Sequence, residues 1–233
     1  MAYITFENVV KSYKTGSVSF NAADGLDLEI EKGEFCVVCG PSGAGKTTML
    51  NLLGGMDRAD SGKITLDGVE ISSLSKRKLV NYRRHDVGFV FQFYNIIQNL
   101  TALENVELAA EICDDPLSPE ETLASVGLAE RENYFPAQLS GGEQQRVAIA
   151  RAIAKNPKIL LCDEPVGALD YETGKNILKL LRETCEKTGK TVVLITHNTA
   201  ITAMADRVIK IKNGKVISNE INESPVPAER IEW

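Results

Sequence analysis

Long apolar runs are missing from this chain. Nothing approaches the ~20 consecutive residues that span a bilayer, and runs such as Val192-Val193-Leu194-Ile195 are short. A surplus of positive charge is missing as well. Lys and Arg number 26 against 32 Asp and Glu, so the net charge of −6 leaves no electrostatic footprint for nucleic acid. The basic residues that do cluster, Lys76-Arg77-Lys78 and Arg83-Arg84, read as a solvated face. The N-terminal stretch MAYITFENVVKSYK lacks the charged, apolar and cleavage segments of a signal peptide, so the chain is expected to stay in the cytosol. Cysteine is sparse and scattered, at 36, 39, 113, 162 and 185. Cys36 and Cys39 have CxxC spacing but lie in a strand-like run. There, residues three apart face opposite ways and sit about 10 Å apart, beyond the roughly 7 Å that a disulfide tolerates. No second CxxC or pair of histidines completes a zinc site. Both cysteines therefore read as small core residues.

What is present is an ordinary globular composition, 43% hydrophobic and 25% charged over 233 residues. Strand-like runs alternate with helical ones. Phe35–Cys39 leads into a glycine loop and a helix from Thr47 to Leu53. Ile159–Cys162 ends in Asp163-Glu164. A helix is expected over Tyr171–Lys187, with Ile177, Leu180, Leu181 and Cys185 on one face and Gly189 past its end. Thr191–Thr196 is a further β-branched run. This alternation implies a mostly parallel sheet with helices on its faces. Asp67-Gly68 and Asn213-Gly214 mark two hairpins, read as antiparallel additions outside the core together with a strand near Ile4. Between 95 and 155 the pattern turns helical, with capping boxes expected at Thr101/Glu104, Ser118/Glu121 and Ser140/Glu143. The tail from Asn219 is weakly patterned and expected at the surface.

Gly40-Pro41-Ser42-Gly43-Ala44-Gly45-Lys46-Thr47 fits the phosphate-loop pattern, with a strand before it and a helix after. Glycines let backbone N–H groups curl toward phosphate oxygens, and the helix N-terminus adds positive potential. Lys46 would reach the β- and γ-phosphates, and the Thr47 hydroxyl would ligate magnesium. Gly40, Ser42, Gly43, Ala44, Gly45, Lys46, Thr47 and Thr48 are the binding candidates. In a parallel sheet the C-terminal strand ends line the ligand crevice. Asp163 would stand there as a magnesium ligand, and Glu164 as the base that takes a proton from an attacking water. His197 ends the Thr191–Thr196 run and would emerge beside them. His85, the other histidine, has no such placement.

Leu139-Ser140-Gly141-Gly142-Glu143 poses a question. Ser140 and Glu143 have capping-box spacing, yet two glycines fill positions where good helix formers would serve better. The stretch is either an ordinary helix cap or a set of bare backbone amides left open for an anion.

Together these motifs resemble the ATP-binding cassette (ABC) family of transport ATPases, over about residues 3 to 218. They occur in family order: GPSGAGKT, Gln92 in Phe89-Val90-Phe91-Gln92, LSGGE, LLCDEP, Gly167-Ala168-Leu169-Asp170 and His197. The resemblance implies one ATPase domain over 1–233: a P-loop NTPase core (about 1–94 and 156–218), a helical subdomain (about 95–155) and a tail (219–233). It implies that Tyr13 stacks on adenine, that Gln92 senses magnesium and the attacking water, that Asp170 communicates between two sites, and that His197 contacts the γ-phosphate. It also implies that Ser140, Gly141, Gly142 and Glu143 bind the γ-phosphate of ATP held by a second copy. Two ATP·Mg²⁺ would thus close a homodimer that drives a separate membrane permease, with the chain peripheral on the cytoplasmic face. Phe91–Ile97 with Leu100–Val106 is similar to the lipoprotein-release, macrolide-export and cell-division branch. Two residues depart from the pattern: Glu143 replaces the usual Gln, and Val166 stands where relatives often carry a small polar residue. The competing readings are a soluble cassette ATPase acting on DNA or ribosomes, disfavoured by the acidic charge and the absence of heptads, and a regulatory module without turnover, disfavoured by Glu164 and His197.

Overall fold

A computed structural model describes residues 2–16 and 18–232. Two sheets organise them. The larger has six strands in the order β10-β9-β3-β8-β7-β6: β10 (Lys215–Ile221), β9 (Arg207–Lys212), β3 (Phe35–Cys39), β8 (Thr191–Thr196), β7 (Ile159–Asp163) and β6 (Val87–Phe91). All neighbours are parallel except β9 with β10. The smaller sheet is antiparallel, β2-β1-β4-β5, built from β1 (Ile4–Thr15), β2 (Val18–Ile30), β4 (Ser61–Leu66) and β5 (Val69–Glu70).

The runs that read as unbroken apolar strands are buried on both faces, as a covered parallel sheet requires. Alternate residues go to different cores. Phe35, Val37, Leu160, Cys162, Val192 and Leu194 join one cluster, with the apolar faces of α3 (Ala102–Ala110), α4 (Pro119–Ser125), α5 (Gly141–Ala154) and α6 (Tyr171–Thr188). Cys36, Val38, Ile159, Leu161, Val193 and Ile195 join the other, with α1 (Lys46–Leu53), α2 (Lys76–His85) and the antiparallel sheet. Each fully buried Val, Leu or Ile contributes about 1.5–3 kcal/mol, so the central strands anchor both layers at once. Cys36 and Cys39 are buried and free, as expected of core residues.

The helix ends follow local chemistry, with one correction. Thr101 and Ser140 form complete capping boxes. Ser118 does not. Its hydroxyl accepts from the Glu121 backbone N–H at 3.2 Å and donates to Glu120 Oε2 at 2.9 Å, but the reciprocal bond from the Ser118 N–H to the Glu121 carboxylate is not made. Asp67 and Gly68 (φ 52° and 76°), like Asn213 and Gly214 (φ 51° and 73°), take the left-handed conformations of a type I′ hairpin.

The hairpin expected outside the core is partly within it: β9 pairs in parallel with β3, and β10 alone is the antiparallel addition. The tail lies mostly at the surface, as expected, but is docked there on α6. Ala228 and Ile231 are buried, the Ile231 carbonyl accepts from Tyr171 Oη at 3.0 Å, and Lys179 pairs with Glu229 at 2.7 Å. Among the described residues no helix is long and apolar enough to cross a membrane.

Candidate active site

Four adjacent parallel strands deliver the candidate residues to one edge. The phosphate loop follows β3, His197 follows β8, Asp163 ends β7 with Glu164 next to it, and Gln92 follows β6. The register places Cys39 opposite Thr196, Asp163 opposite Ile195, and Phe91 opposite Asp163.

Within the loop, two glycines are demanded by close approach. A Cβ on Gly40 would collide with the Ile211 carbonyl, and one on Gly45 (φ 102°) with the Ala22 carbonyl. The Ala44 carbonyl accepts from the Gly214 N–H at 2.9 Å, so the β9–β10 turn holds the loop from the side. Lys46 is buried and folds back on the loop, donating to the carbonyls of Gly40 (2.8 Å) and Pro41 (3.1 Å). Gly43 to Thr48 line a cleft of about 210 Å³ with Tyr13, Phe20 and Ala22. Tyr13 thus reaches the phosphate loop from a different sheet. Ser42 lies in the exposed turn of the loop.

Asp163 is half-buried. Burial and the charge of Glu164 push its carboxyl up, against a hydrogen bond with Thr47 and the charge of Lys46. A hydroxyl and a partly desolvated carboxylate side by side form a hard oxygen pair. Among the described residues no cluster of three His, Cys, Asp or Glu could enclose a metal. The pair therefore fits Mg²⁺, which keeps waters and phosphate oxygens in most of its shell, better than a metal needing a full protein cage.

Glu164 sits at φ 47°, a conformation uncommon for a non-glycine residue and often found where function constrains the backbone. Its carboxylate is fixed from β8. Oε1 accepts from the His197 N–H at 2.8 Å and lies 2.9 Å from His197 Nδ1, while Oε2 accepts from Thr196 Oγ1 at 2.9 Å. Gln92 packs beside Gly167, where a Cβ would approach its Nε2.

Ser140–Glu143 does not line the phosphate-loop cleft. It caps α5, and its neighbours explain both glycines. A Cβ on Gly141 would meet Tyr94 Oη at 2.7 Å, and one on Gly142 would collide with Thr173 Cγ2 in the first turn of α6. Asp170 caps that same helix, accepting from the Thr173 N–H at 3.0 Å, and the Thr173 hydrogen bonds hold its carboxyl below the usual range. The LSGGE stretch thus adjoins the helix end that Asp170 caps, and neither lines the phosphate-loop cleft. Glu143 is folded back: Oε2 accepts from the Ser140 N–H and hydroxyl, each at 2.8 Å, and Oε1 lies 3.5 Å from Arg131 Nε. These Ser140 bonds hold its carboxyl low. Val166 packs against the helical core.

The crowding at Gly142 gives a test. In an open helix, Gly→Ala gains about 0.8–1 kcal/mol. Here Gly142→Ala is expected to cost about 1–3 kcal/mol, the usual penalty of overpacking, and to lower Tm by several degrees. Thr173→Ser removes Cγ2 and keeps the hydroxyl, so the double variant recovers most of that loss. Calorimetry of both singles and the double decides; strictly additive losses would mean that the contact is not the cause.

Several participants carried no usable sequence signal. Phe20, Asp57 and Thr173 are unremarkable in their local context. Gln145 stands inside LSGGEQQR but its burial was not readable. Its Nε2 donates to the carbonyls of Phe91 (3.3 Å) and Pro165 (2.9 Å), tying α5 to the ends of β6 and β7.

A strand, a glycine loop with its lysine folded onto it, and two carboxylates at the end of β7 define a P-loop protein built to hold a nucleoside triphosphate. The family model described as ABC transporter matches residues 23–167, and the chain belongs to that family. It is 42% identical over 234 residues to an ABC transporter ATP-binding protein of Mycoplasma pneumoniae, covering 99% of this chain and 50% of that one. It is 45% identical to the ABC transporter ATP-binding protein MJ0796 of Methanocaldococcus jannaschii, covering 93% and 96% respectively. The dimeric structure of MJ0796 bound to ADP and Pi superimposes with a TM-score of 0.85 at 42% identity, covering 94% of this chain and 98% of that one. It is also 42% identical to the macrolide export ATP-binding/permease protein MacB of Hyphomonas neptunium, over 97% of this chain and 36% of that one. The chain thus spans about half or less of the length of some of the curated relatives it matches. The match to MacB agrees with the lipoprotein-release, macrolide-export and cell-division branch that Phe91–Ile97 and Leu100–Val106 resemble.

Proposed function

We propose that this chain is the ATP-hydrolysing subunit of a membrane transporter, acting as a homodimer on a separate permease from the cytoplasmic face of the membrane. The observation that carries it is the separation of two half-sites on one chain: the loop, Asp163, Glu164 and His197 at the strand ends, and the LSGGE stretch with Asp170 at two helix N-termini. Neither half is complete. The first lacks a second wall over the γ-phosphate, and the second has a helix N-terminus and glycine amides but no lysine. A two-fold contact sets each half against the other's complement. The dimeric MJ0796 structure with ADP and Pi supports this arrangement, and MacB, which combines ATP-binding and permease parts, supports the permease partner.

In the closed pair Lys46 and the loop amides hold the β- and γ-phosphates, and Tyr13 contacts adenine. Thr47 and Asp163 would hold Mg²⁺, which supplies charge neutralisation on the phosphates; Gln92 lies near enough to the Glu164 loop to report on that site. Glu164 takes a proton from the attacking water as its oxygen bonds to the γ-phosphorus and the bond to the ADP oxygen breaks. His197 orients Glu164 and faces the γ-phosphate. Ser140 and the Gly141–Gly142 backbone bind the partner's γ-phosphate, with Glu143 holding the cap. The helical segment 95–155 conveys closure to the permease. No observation favours a nucleic acid partner.

A composite site makes turnover depend on association. ATPase activity per chain is expected to rise with protein concentration and then level off, in step with dimer content measured by sedimentation. Constant activity per chain, down to concentrations holding monomer alone, would overturn the composite site.

A further inference from the structure

Tyr13 is tied down at several points. Its hydroxyl donates to Asp57 Oδ2 at 2.8 Å. Asp57 Oδ1 accepts from Lys11 Nζ at 2.9 Å and from the Arg58 N–H at 2.7 Å. Lys11 Nζ also donates to the Arg58 carbonyl at 2.8 Å and lies 5.3 Å from the Tyr13 ring centroid. Tyr13 and Lys11 stand on β1, whereas Asp57 lies in the loop after α1. The network therefore links the antiparallel sheet to the helix that carries the phosphate loop. Burial works against ionisation of Asp57, yet the Lys11 hydrogen bond and its other donors hold its carboxyl below the usual range, so it is a charged acceptor for the tyrosine hydroxyl.

Phe20 stands beside this fixed ring. It is 50% exposed, and its ring lies 6.0 Å from Tyr13 at an angle of 45°. Both rings line the same cleft as Gly43–Thr48. An exposed phenylalanine there has an apolar face that a flat heteroaromatic can cover, and base–aromatic stacking tolerates many geometries.

We propose that the nucleobase subsite has two aromatic walls, Tyr13 and Phe20, and that Asp57 is a positioning residue that sets the Tyr13 ring plane through its hydroxyl. This rests on the reading of the phosphate loop as a triphosphate site. Asp57 touches no nucleotide in this scheme; it acts through Tyr13.

The test compares ATP with inorganic tripolyphosphate, which offers the same phosphates without a base, by titration calorimetry on the full chain. Phe20→Ala is expected to weaken ATP about 5- to 20-fold and to leave tripolyphosphate unchanged. Tyr13→Phe keeps the ring but loses the tether, and Asp57→Asn keeps an acceptor without the charge. Both are expected to weaken ATP about 2- to 5-fold, again sparing tripolyphosphate. Equal losses for both ligands would make the network structural and overturn the inference. So would tighter ATP binding by Phe20→Ala, which would make Phe20 a cover over Tyr13. Wild-type binding of tripolyphosphate that survives Lys46→Ala would instead overturn the phosphate-loop reading itself.

Discussion

Glu164→Gln should bind ATP within about threefold of wild type and lose about 10²- to 10⁴-fold in turnover, the range that general-base removal produces. The geometry makes this substitution clean. A glutamine Oε1 can still accept from the His197 N–H, and the Thr196 hydroxyl can rotate to accept from the new amide, so the bonds to the His197 backbone and to Thr196 survive in altered form. What disappears is the group proposed to take the proton. With hydrolysis stopped, nothing removes the γ-phosphate that joins the two halves, and the population shifts toward the closed pair. Gel filtration with ATP and Mg²⁺ should then show a long-lived dimer. A variant that stays monomeric at all concentrations would overturn the proposal that ATP is the bridge; one that hydrolyses at the wild-type rate would remove Glu164 from the chemistry.

Ser140→Arg acts on the other half-site. Ser140 is exposed, and its side chain does two things: it caps α5 and would meet the partner's phosphate. Losing the cap costs about 1 kcal/mol, which a domain of this size tolerates. The bulk and positive charge at a helix N-terminus, where the dipole disfavours cations, should abolish pairing. Turnover should fall about 100-fold or more, the cost of losing a preorganised donor to a developing anion. ATP affinity of the single chain should stay within about threefold, because LSGGE does not line the cleft of its own loop. Equilibrium binding at monomeric concentrations checks this. Lost binding there would mean that LSGGE serves the nucleotide of its own chain.

Much of the site was legible because its parts are local. A phosphate loop is contiguous, and Asp163, Glu164 and His197 each follow an apolar run whose direction in a parallel sheet fixes where they emerge. Other parts depend on neighbours far along the chain. β2 was not readable as a strand: Asn21-Ala22-Ala23-Asp24-Gly25 has no clean alternation, and its pairing with β1 shifts register, with Asn8 at φ 48° and its N–H turned to Asp27. β6 was hidden by Gly88, which is small because Leu160 and the Ala152 carbonyl press against it. α2 was read from its charges as a solvated face, which left its buried Leu79 and Tyr82 unseen. At Ser118 the spacing was right and the hydroxyl caps the helix, but the Glu121 side chain does not return to the Ser118 N–H, so only half of the box forms. Glu143 settles between two outcomes open in the sequence: pointed at a bound phosphate it would weaken closure, whereas the expected Ser140 cap forms and folds it back toward Arg131.

The Asn213–Gly214 turn carries a practical consequence. It looks like a good place to splice in an epitope or fluorescent reporter, being a tight surface bend with an exposed asparagine. Yet the Gly214 amide grips the Ala44 carbonyl, its own carbonyl accepts from Asp24, and the preceding Ile211 carbonyl abuts Gly40. Lengthening that bend would loosen the cradle from behind, and a mutational screen would score it as a nucleotide-binding defect although its side chains lie outside the cleft.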